Sequence, residues 1–336
     1  MYKTGLVIGK FCPFHKGHQY LIKYASALCS ELTIIICHTE EYTIPISTRL
    51  DWIQKFIAEN IQELSSKKVF IKVLTHAKEM DDDSTEKSKE WADLVSSFLG
   101  YKPDVVITSE DYGVVFAKEL GAEHFFADRE RRKFPVSGTA VRNNAQENWD
   151  FVEDDVKDYF VKRVVVVGAE STGTTTLAMN IAKKLKTVWV PEYGRFYYEG
   201  RMFLEDKTWN TGEFGHIMEQ QNAMEIGFAK LASRYLICDT DSFATRVWHK
   251  RYVGDYAPQL ERFSEKRKNT LYLVTSPNIP FVQDGTRDGE NLRLWMHELF
   301  IENLIKTGRD YYIITSDTPE QRTIEAIKYI EDFYTK

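Results

Sequence analysis

The first eighteen residues place a short strand directly before a tight turn and a helix. The apolar run 6–8 is typical of a buried strand, and it breaks at Gly9. A turn that contains proline and glycine follows, and a helical pattern begins near Gln19. A strand that passes through a turn into a helix favours a parallel sheet covered by helices, which is the α/β class.

Two histidines, His15 and His18, lie where this strand meets the helix N-terminus. A helix N-terminus carries unpaired backbone N–H groups and a positive dipole, so it favours a phosphate. The imidazoles add side-chain donors, and the missing Cβ of Gly17 leaves room for a phosphate to approach closely. We therefore predict a site for the phosphates of a nucleotide.

The string from Gly9 to His18 has the pattern G-x-F-x-P-x-H-x-G-H. It resembles the signature of the nucleotidyltransferase superfamily. The resemblance implies that Gly9, Phe11 and Gly17 belong to an ATP site in which His15 and His18 hold the phosphates during attack on the α-phosphorus. A fragment of a class I aminoacyl-tRNA synthetase would share H-x-G-H, but the chain has no K-M-S-K-S sequence.

The next hundred residues alternate between strand and helix patterns. Predicted strands at 32–37, 69–74, 105–108 and 124–127 follow helical segments, one of which we expect Ser47 to cap. In a parallel sheet, ligands gather beyond the carboxyl ends of strands, so the polar turn 109–113 should lie near the two histidines. The charged run 128–133 is, by itself, a solvated surface.

A second anion-binding element follows at Ser137, Thr139 and Arg142. Either hydroxyl can cap the helix that starts here, and the guanidinium of Arg142 is a bidentate donor on that helix.

Residues 5–144 look like the adenylyltransferase domain of the bifunctional nicotinamide-mononucleotide adenylyltransferase/ribosylnicotinamide kinase family, the NadR type. The stretches 107–113 (I-T-S-E-D-Y-G) and 131–139 (R-R-K-F-P-V-S-G-T) carry the resemblance. It implies that ATP is held by His15, His18, Ser137, Thr139 and Arg142. It also implies that nicotinamide mononucleotide lies near Asp111 and Tyr112.

A second domain begins after a predicted bridging helix at 148–161, which separates residues 1–147 from 162–336. The β-branched run 163–167 leads into Gly168, Glu170, Ser171, Gly173, Thr174, Thr175 and Thr176, and a helix follows. This matches the P-loop pattern G-x-x-x-x-G-K-[ST], except that Thr174 replaces the lysine. The backbone cradle for phosphate needs only glycines and amides, but the mobile positive charge is missing. The candidates for a cation that replaces it are Arg195, Arg201, Arg287 and Arg293.

Carboxylates at strand ends complete the second site. Asp239 and Asp241 follow the buried run 235–238, and together with Thr175 they are predicted to bind Mg²⁺, although Asp241 is equally suited to cap the next helix. Glu192 and Asp239 are the candidate bases for a substrate hydroxyl.

The segments V-P-E-Y-G-R, C-D-T-D and D-G-T-R stand where the ribosylnicotinamide kinase domain of the same family has them. The resemblance therefore covers nearly the whole chain and implies that Glu192, Tyr193, Arg195 and Arg287 face the riboside. The fold it implies is two doubly wound parallel-sheet domains, a Rossmann-like nucleotidyltransferase domain and then a P-loop kinase-like domain. The implied function is NAD synthesis from nicotinamide mononucleotide and ATP, preceded by phosphorylation of nicotinamide riboside. The alternative is an adenylyltransferase whose second domain only senses a nucleotide or NAD, because Thr174 replaces the lysine.

Composition limits the other partners. A net charge of −6 argues against broad binding to nucleic acid or an anionic membrane. The four cysteines have no C-x-x-C spacing, and no apolar run is as long as a membrane span. We expect a cytoplasmic protein without a signal peptide or an N-terminal helix-turn-helix. The sequence leaves open whether the protein forms a homo-oligomer.

Overall fold

The computed structural model describes residues 1–66, 68–77, 85–283 and 289–335, with the backbone alone at 85 and 86. The chain divides into two compact units, Met1–Val156 and Lys157–Lys336. Each is described separately below.

The first unit alternates strands and helices as predicted. Its elements are β1 (Tyr2–Gly9), α1 (Lys16–Leu28), β2 (Cys29–His38), α2 (Ile46–Asn60), β3 (Lys68–Thr75), α3 (Thr85–Leu99), β4 (Val105–Thr108), α4 (Tyr112–Leu120), β5 (Glu123–Phe126) and α5 (Gly138–Asn143). The strands form one parallel sheet in the order β3-β2-β1-β4-β5. Because β1 has β2 on one side and β4 on the other, a crevice opens beyond its carboxyl end.

Close strand packing explains one glycine of β1. A Cβ on Gly5 would lie 2.4 Å from the Sγ atom of Cys29, which is fully buried on the neighbouring strand β2. Helices α3 and α4 cover one face of the sheet with apolar side chains such as Val95 and Phe116. The buried apolar sheet therefore fixes where β1 ends and where the turn after it must lie.

The second unit has the same layered construction. Its elements are α6 (Lys157–Phe160), β6 (Lys162–Gly168), α7 (Thr174–Leu185), β7 (Val188–Val190), α8 (Tyr193–Arg201), α9 (Thr211–Leu231), β8 (Tyr235–Asp239), α10 (Ser242–Val253), β9 (Thr270–Thr275), α11 (Arg293–Lys306), β10 (Asp310–Ile314) and α12 (Pro319–Tyr334). The strand order is β10-β9-β6-β8-β7, and all pairs are parallel. The crevice here lies beyond β6, between β8 and β9.

Three local predictions differ from the structure. Helix α1 begins at Lys16, because His15 is the extended residue that precedes it. Ser47 lies inside α2, which follows Pro45. The predicted bridging helix at 148–161 is instead two 3₁₀ turns followed by the short helix α6. Its backbone is held by the first unit, since Val152 forms a β-bridge with His15.

None of the helices in the described ranges is long and apolar enough to span a membrane.

Candidate active sites

A cavity of about 520 Å³ opens at the carboxyl ends of β1 and β4 in the first unit. This volume is within the usual range for a small-molecule site. The predicted residues that line it are Gly9, Phe11, His15, Gly17, His18, Tyr112, Ser137, Thr139 and Arg142. The structure therefore brings together the two phosphate-binding segments that the sequence places about 120 residues apart.

The two histidines form a stacked pair at the start of α1. Their ring centroids are 3.7 Å apart, and the ring of His18 also lies 4.8 Å from that of Phe11. The backbone N–H of His15 donates to Nδ1 of His18 at 3.3 Å. Because Nδ1 accepts this bond, the proton of the neutral His18 ring is on Nε2, which is a donor for a ligand.

Both imidazoles are neutral. Burial, together with the charge of Arg131, lowers the pKa of His15 to about 3. Burial, the neighbouring His15 and Arg131 lower the pKa of His18 well below its usual range. Within the described part of the chain, the buried Nδ1 atom of His15 has no hydrogen-bond partner. An unpaired buried polar atom beside a cavity is costly unless a ligand or water satisfies it.

Gly17 lies against the imidazole of His15. A Cβ at this position would lie 3.0 Å from Cε1 and 3.1 Å from Nδ1 of His15. The glycine therefore makes room for the imidazole of His15, which a larger residue would displace.

Arg142 is fixed at the cavity by two contacts. Its guanidinium donates to the carbonyl oxygen of Cys12 and, at 3.0 Å, to Oγ1 of Thr139. Ser137 caps α5, because its Oγ accepts the N–H of Ala140 at 3.1 Å. The helix has six residues, so Arg142 lies near its end and not in its first turn. The bond to Cys12 ties Arg142 to the turn that carries the histidines.

Asp111 is the predicted residue of this site that does not line the cavity. Its carboxylate is exposed and pairs with the guanidinium of Arg129 at 2.6 Å. Only Tyr112 of the predicted Asp111–Tyr112 turn contributes to the lining.

Sequence reasoning missed three other lining residues, Trp91, Asp128 and Arg131. Trp91 is on the apolar face of α3 and packs edge-on against His76 at 4.8 Å. Its helical spacing is the same as that of a core residue, so the pattern alone cannot mark it. Asp128 and Arg131 belong to the charged run that we expected to be a solvated surface.

A buried arginine supports the turn after β1. The side chain of Arg49 on α2 is fully buried and donates to the carbonyl oxygens of Lys10 at 2.6 Å, Cys37 at 2.9 Å and Ile44 at 3.2 Å. These three carbonyls are at the ends of β1 and β2 and in the loop that follows. Arg49 therefore ties together the segments that position the histidine turn.

A second cavity, of about 410 Å³, opens beyond β6 in the second unit. The predicted residues that line it are Gly168, Glu170, Ser171, Gly173, Thr174, Thr175, Thr176, Glu192, Arg195 and Asp239.

The loop between β6 and α7 has the backbone of a phosphate cradle. Ser171 and Gly173 have positive φ angles of 58° and 81°, and successive N–H groups in such turns form anion-binding concavities. A Cβ on Gly168 would lie 2.1 Å from Oγ1 of Thr275, so only glycine fits. Outside the cavity lining, Arg293 donates to the carbonyl of Ser171 at 3.2 Å and Arg322 to that of Thr172 at 2.5 Å. The loop carbonyls are thus satisfied by arginines.

Thr175 and Asp239 meet at the mouth of this loop. The hydroxyl of Thr175 donates to Oδ2 of Asp239 at 2.5 Å. Burial raises the pKa of Asp239 to about 6, although the hydroxyls of Thr175 and Thr174 oppose the shift. A buried carboxylate next to a P-loop hydroxyl fits a divalent cation, because oxygen ligands and nearby phosphates satisfy Mg²⁺ with few protein groups. No cluster of three metal-ligating side chains occurs in the described ranges.

Asp241 does not take part in this arrangement. Its Oδ1 accepts the N–H of Ala244 at 2.9 Å as the N-cap of α10, and its Oδ2 accepts the hydroxyl of Tyr272 at 2.6 Å. Because both carboxylate oxygens are used this way, the prediction of Asp241 as a metal ligand is wrong, and the capping role is confirmed.

The other predicted cations separate into different environments. Among the described residues, Arg195 is the only lysine or arginine that lines the second cavity. Arg201 pairs with Glu213 at 3.1 Å, and Arg293 is hydrogen-bonded to backbone carbonyls. Arg287 lies outside the described residues. Tyr193 is not in the lining; its hydroxyl meets His216 at 3.2 Å.

Glu192 and an aromatic wall complete the second cavity. Burial and the nearby Asp239 raise the pKa of Glu192 to about 8, and Arg195 opposes this shift. The aromatic residues of the wall are Tyr198, Trp209, Phe214, Trp248, Tyr252 and Phe300. They come from α8 to α11 and from the segment before α9, so no local pattern in the sequence groups them. The chemistry of the wall suits a flat or cationic ring.

Comparisons with known proteins find similar families and relatives for both units. A model of the AAA domain family matches residues 163–322, and a model of the citrate lyase ligase C-terminal domain matches residues 4–80. The trifunctional NAD biosynthesis/regulator protein NadR of Escherichia coli strain K12 is 26% identical, and the match covers 98% of this chain and 82% of NadR. The chain is therefore similar to NadR proteins over nearly its whole length. NadR of Salmonella typhimurium strain LT2 is also 26% identical, with the same coverage.

Solved NadR structures have the same fold. A NadR protein in complex with NR superimposes with a TM-score of 0.75 at 20% identity, covering 98% of this chain and 96% of that one. A NadR protein in complex with NAD and AMP-PNP gives a TM-score of 0.74 at 21% identity, covering 99% and 96%. The predicted resemblance to the NadR type and the predicted fold of two doubly wound α/β domains are confirmed.

Proposed function

We propose that the chain makes NAD from nicotinamide mononucleotide and ATP in its first unit. The observation that carries this proposal is one cavity holding two neutral imidazoles, the fixed guanidinium of Arg142 and the indole of Trp91. The relatives whose names describe them as NAD biosynthesis proteins support it.

The reaction needs no protein nucleophile. A phosphate oxygen of nicotinamide mononucleotide attacks the α-phosphorus of ATP, and the bond from that phosphorus to the β-phosphate oxygen breaks. Pyrophosphate leaves with the electron pair. Donors already fixed in place stabilise the charge that develops on the phosphate oxygens, so positioning and electrostatics account for the rate.

Three side chains supply those donors. Nε2–H of His18 and the N–H groups of Arg142 would donate to phosphate oxygens. Nδ1 of His15, which has no hydrogen-bond partner among the described residues, is available to the same ligand. A divalent cation, which we take to be Mg²⁺, would neutralise part of the triphosphate charge. Trp91 offers a face for the pyridinium ring through cation–π attraction.

We propose as a second activity that the other unit phosphorylates nicotinamide riboside. The loop around Gly173 would hold the ATP phosphates, and Thr175 and Asp239 would bind Mg²⁺. Glu192 would accept the proton of the attacking hydroxyl, since a pKa of about 8 suits a base near neutral pH. Arg195 would replace the missing lysine charge.

The rival for this unit is a binding module without phosphoryl transfer. Thr174 favours this alternative, because loss of one preorganised donor to developing charge costs about 3 kcal/mol, or roughly a hundredfold in rate.

A product assay tests both proposals. The full chain is incubated with ATP and Mg²⁺, with nicotinamide mononucleotide in one reaction and nicotinamide riboside in a second. We expect NAD from both reactions. NAD from the mononucleotide alone would reject the kinase and retain the adenylyltransferase, and NAD from neither would reject both activities.

A further inference from the structure

Arg131 occupies a rigid loop at the edge of the first cavity. The loop connects β5 to α5, and the carboxylate of Asp128 fixes it by accepting the backbone N–H groups of Arg132 at 3.0 Å, Lys133 at 3.1 Å and Phe134 at 3.3 Å. A loop closed by three such bonds holds its backbone in one conformation. The backbone from which the Arg131 side chain extends is therefore set by the fold.

The backbone of Arg131 is in the left-handed region, with a φ angle of 50°. This conformation costs a residue with a side chain about 1–2 kcal/mol, and such residues are concentrated at functional sites. Glycine or asparagine would adopt it more easily. The presence of arginine here suggests that its side chain is needed where this backbone directs it.

The guanidinium of Arg131 lines the same cavity as His15 and His18. It donates to Oε1 of Glu110 at 2.7 Å and to the carbonyl of Val136 at 3.3 Å. Its positive charge is among the causes that lower the pKa of both histidines, so its field extends to both imidazoles. A ligand phosphate bound by the histidines would therefore be attracted by Arg131 as well.

The bond to Glu110 does not prevent such a role. The two side chains are 36% and 52% exposed, and an ion pair this exposed contributes little to stability. Exchange of the Glu110 carboxylate for a phosphate therefore costs little, and the planar guanidinium can bind two phosphate oxygens at once.

We propose that Arg131 is a further catalytic residue of the first unit, which binds a phosphate of the reacting nucleotides from the side of the cavity formed by the β5–α5 loop. The inference rests on the proposed adenylyltransferase activity. Arg131 then acts with Arg142 and the histidine pair as a fixed donor to the phosphates, and no covalent step or proton transfer is assigned to it.

The test compares Arg131→Gln with Arg132→Gln in the full chain. Arg132 is adjacent in sequence, 81% exposed, and paired with Glu130 at the surface. We expect Arg131→Gln to lower kcat/KM for NAD formation by about tenfold or more, as loss of a charge-assisted hydrogen bond predicts. Arg132→Gln should stay within about twofold of the wild type, as is usual for an isolated surface change.

Inhibitors distinguish phosphate binding from a structural role. Adenosine, as a competitive inhibitor of NAD formation, should keep its inhibition constant in Arg131→Gln, while ATP, nicotinamide mononucleotide or pyrophosphate binds more weakly. A loss confined to ATP and pyrophosphate assigns Arg131 to the triphosphate, and a loss confined to the mononucleotide assigns it to that phosphate. Equal weakening of adenosine inhibition, or unchanged kinetics, would overturn the proposal. Arg131→Lys, which keeps the charge, should recover part of the activity.

A measurement without turnover separates this inference from the proposed function. Calorimetric titration of nicotinamide mononucleotide into the wild type and Arg131→Gln compares affinities directly. If the wild type makes no NAD, the adenylyltransferase proposal fails. A weaker affinity in the variant would still support phosphate binding by Arg131, and equal affinities for both mononucleotide and pyrophosphate would reject it.

Discussion

His18 provides the sharpest test of the first site, because its side chain has one donor and a known tautomer. His18→Ala removes Nε2–H, while the matched variant His18→Gln keeps an N–H donor near the same place. Loss of one preorganised donor costs about 3 kcal/mol, which corresponds to a roughly 150-fold lower kcat/KM. His18→Gln should retain more activity than His18→Ala. As a residue, His18 is partly exposed in the first turn of α1, so both variants should fold.

The assay is NAD formation from nicotinamide mononucleotide and ATP, followed continuously by coupling to a dehydrogenase that reduces the NAD. Since the pKa of His15 is about 3 and that of His18 is also strongly lowered, neither ring titrates in the free protein near neutral pH. The ratio of wild-type to variant kcat/KM, which reports on the free enzyme, should therefore be constant between about pH 6 and 8. A loss smaller than about fivefold, or one that appears only below about pH 6.5, would refute the neutral-donor mechanism.

Three further predictions concern both sites. Gly17→Ala places a Cβ 3.0 Å from the ring of His15, so NAD formation should fall about tenfold or more while thermal unfolding changes little; unchanged kcat/KM would contradict this. Thr174→Lys restores the P-loop charge and should raise riboside phosphorylation up to about a hundredfold, measured as ADP release; no gain would argue that Arg195 or another cation already supplies it. With the pKa of Glu192 at about 8 and its carboxylate form acting as the base, riboside phosphorylation should rise with pH through about 8 and fall about tenfold per unit below it. The variant Glu192→Gln should be slow and lack this slope, and an unchanged profile would exclude Glu192 as the base.

The local pattern of apolar and turn residues was enough to predict the α/β architecture of both units. The predicted bounds of the strands in the first unit, and of the runs 163–167 and 235–238 in the second, agree with the structure to within a few residues, because alternating apolar runs and glycine turns act over short distances. The prediction of a helix at 148–161 was wrong. The local helical pattern there competes with the pairing of Val152 to His15, which lies 137 residues away in the sequence. The prediction that Ser47 caps a helix was wrong, because α2 begins directly after Pro45, two residues earlier.

At the two sites, too, local sequence pattern predicted some features and long-range contacts decided the others. By itself, the sequence determined the histidine turn, the S-x-T-x-x-R segment and the P-loop with Thr174, since each depends on residues close together in the chain. Only the tertiary structure decided that Asp239 faces Thr175 while Asp241 caps α10, because the two carboxylates are two residues apart and equivalent in pattern. It also decided that Arg131 and Trp91 line the first cavity. The physical reason is that a cavity collects side chains from the carboxyl ends of several strands and from the helices beside them, and which of them meet depends on the order and twist of the strands.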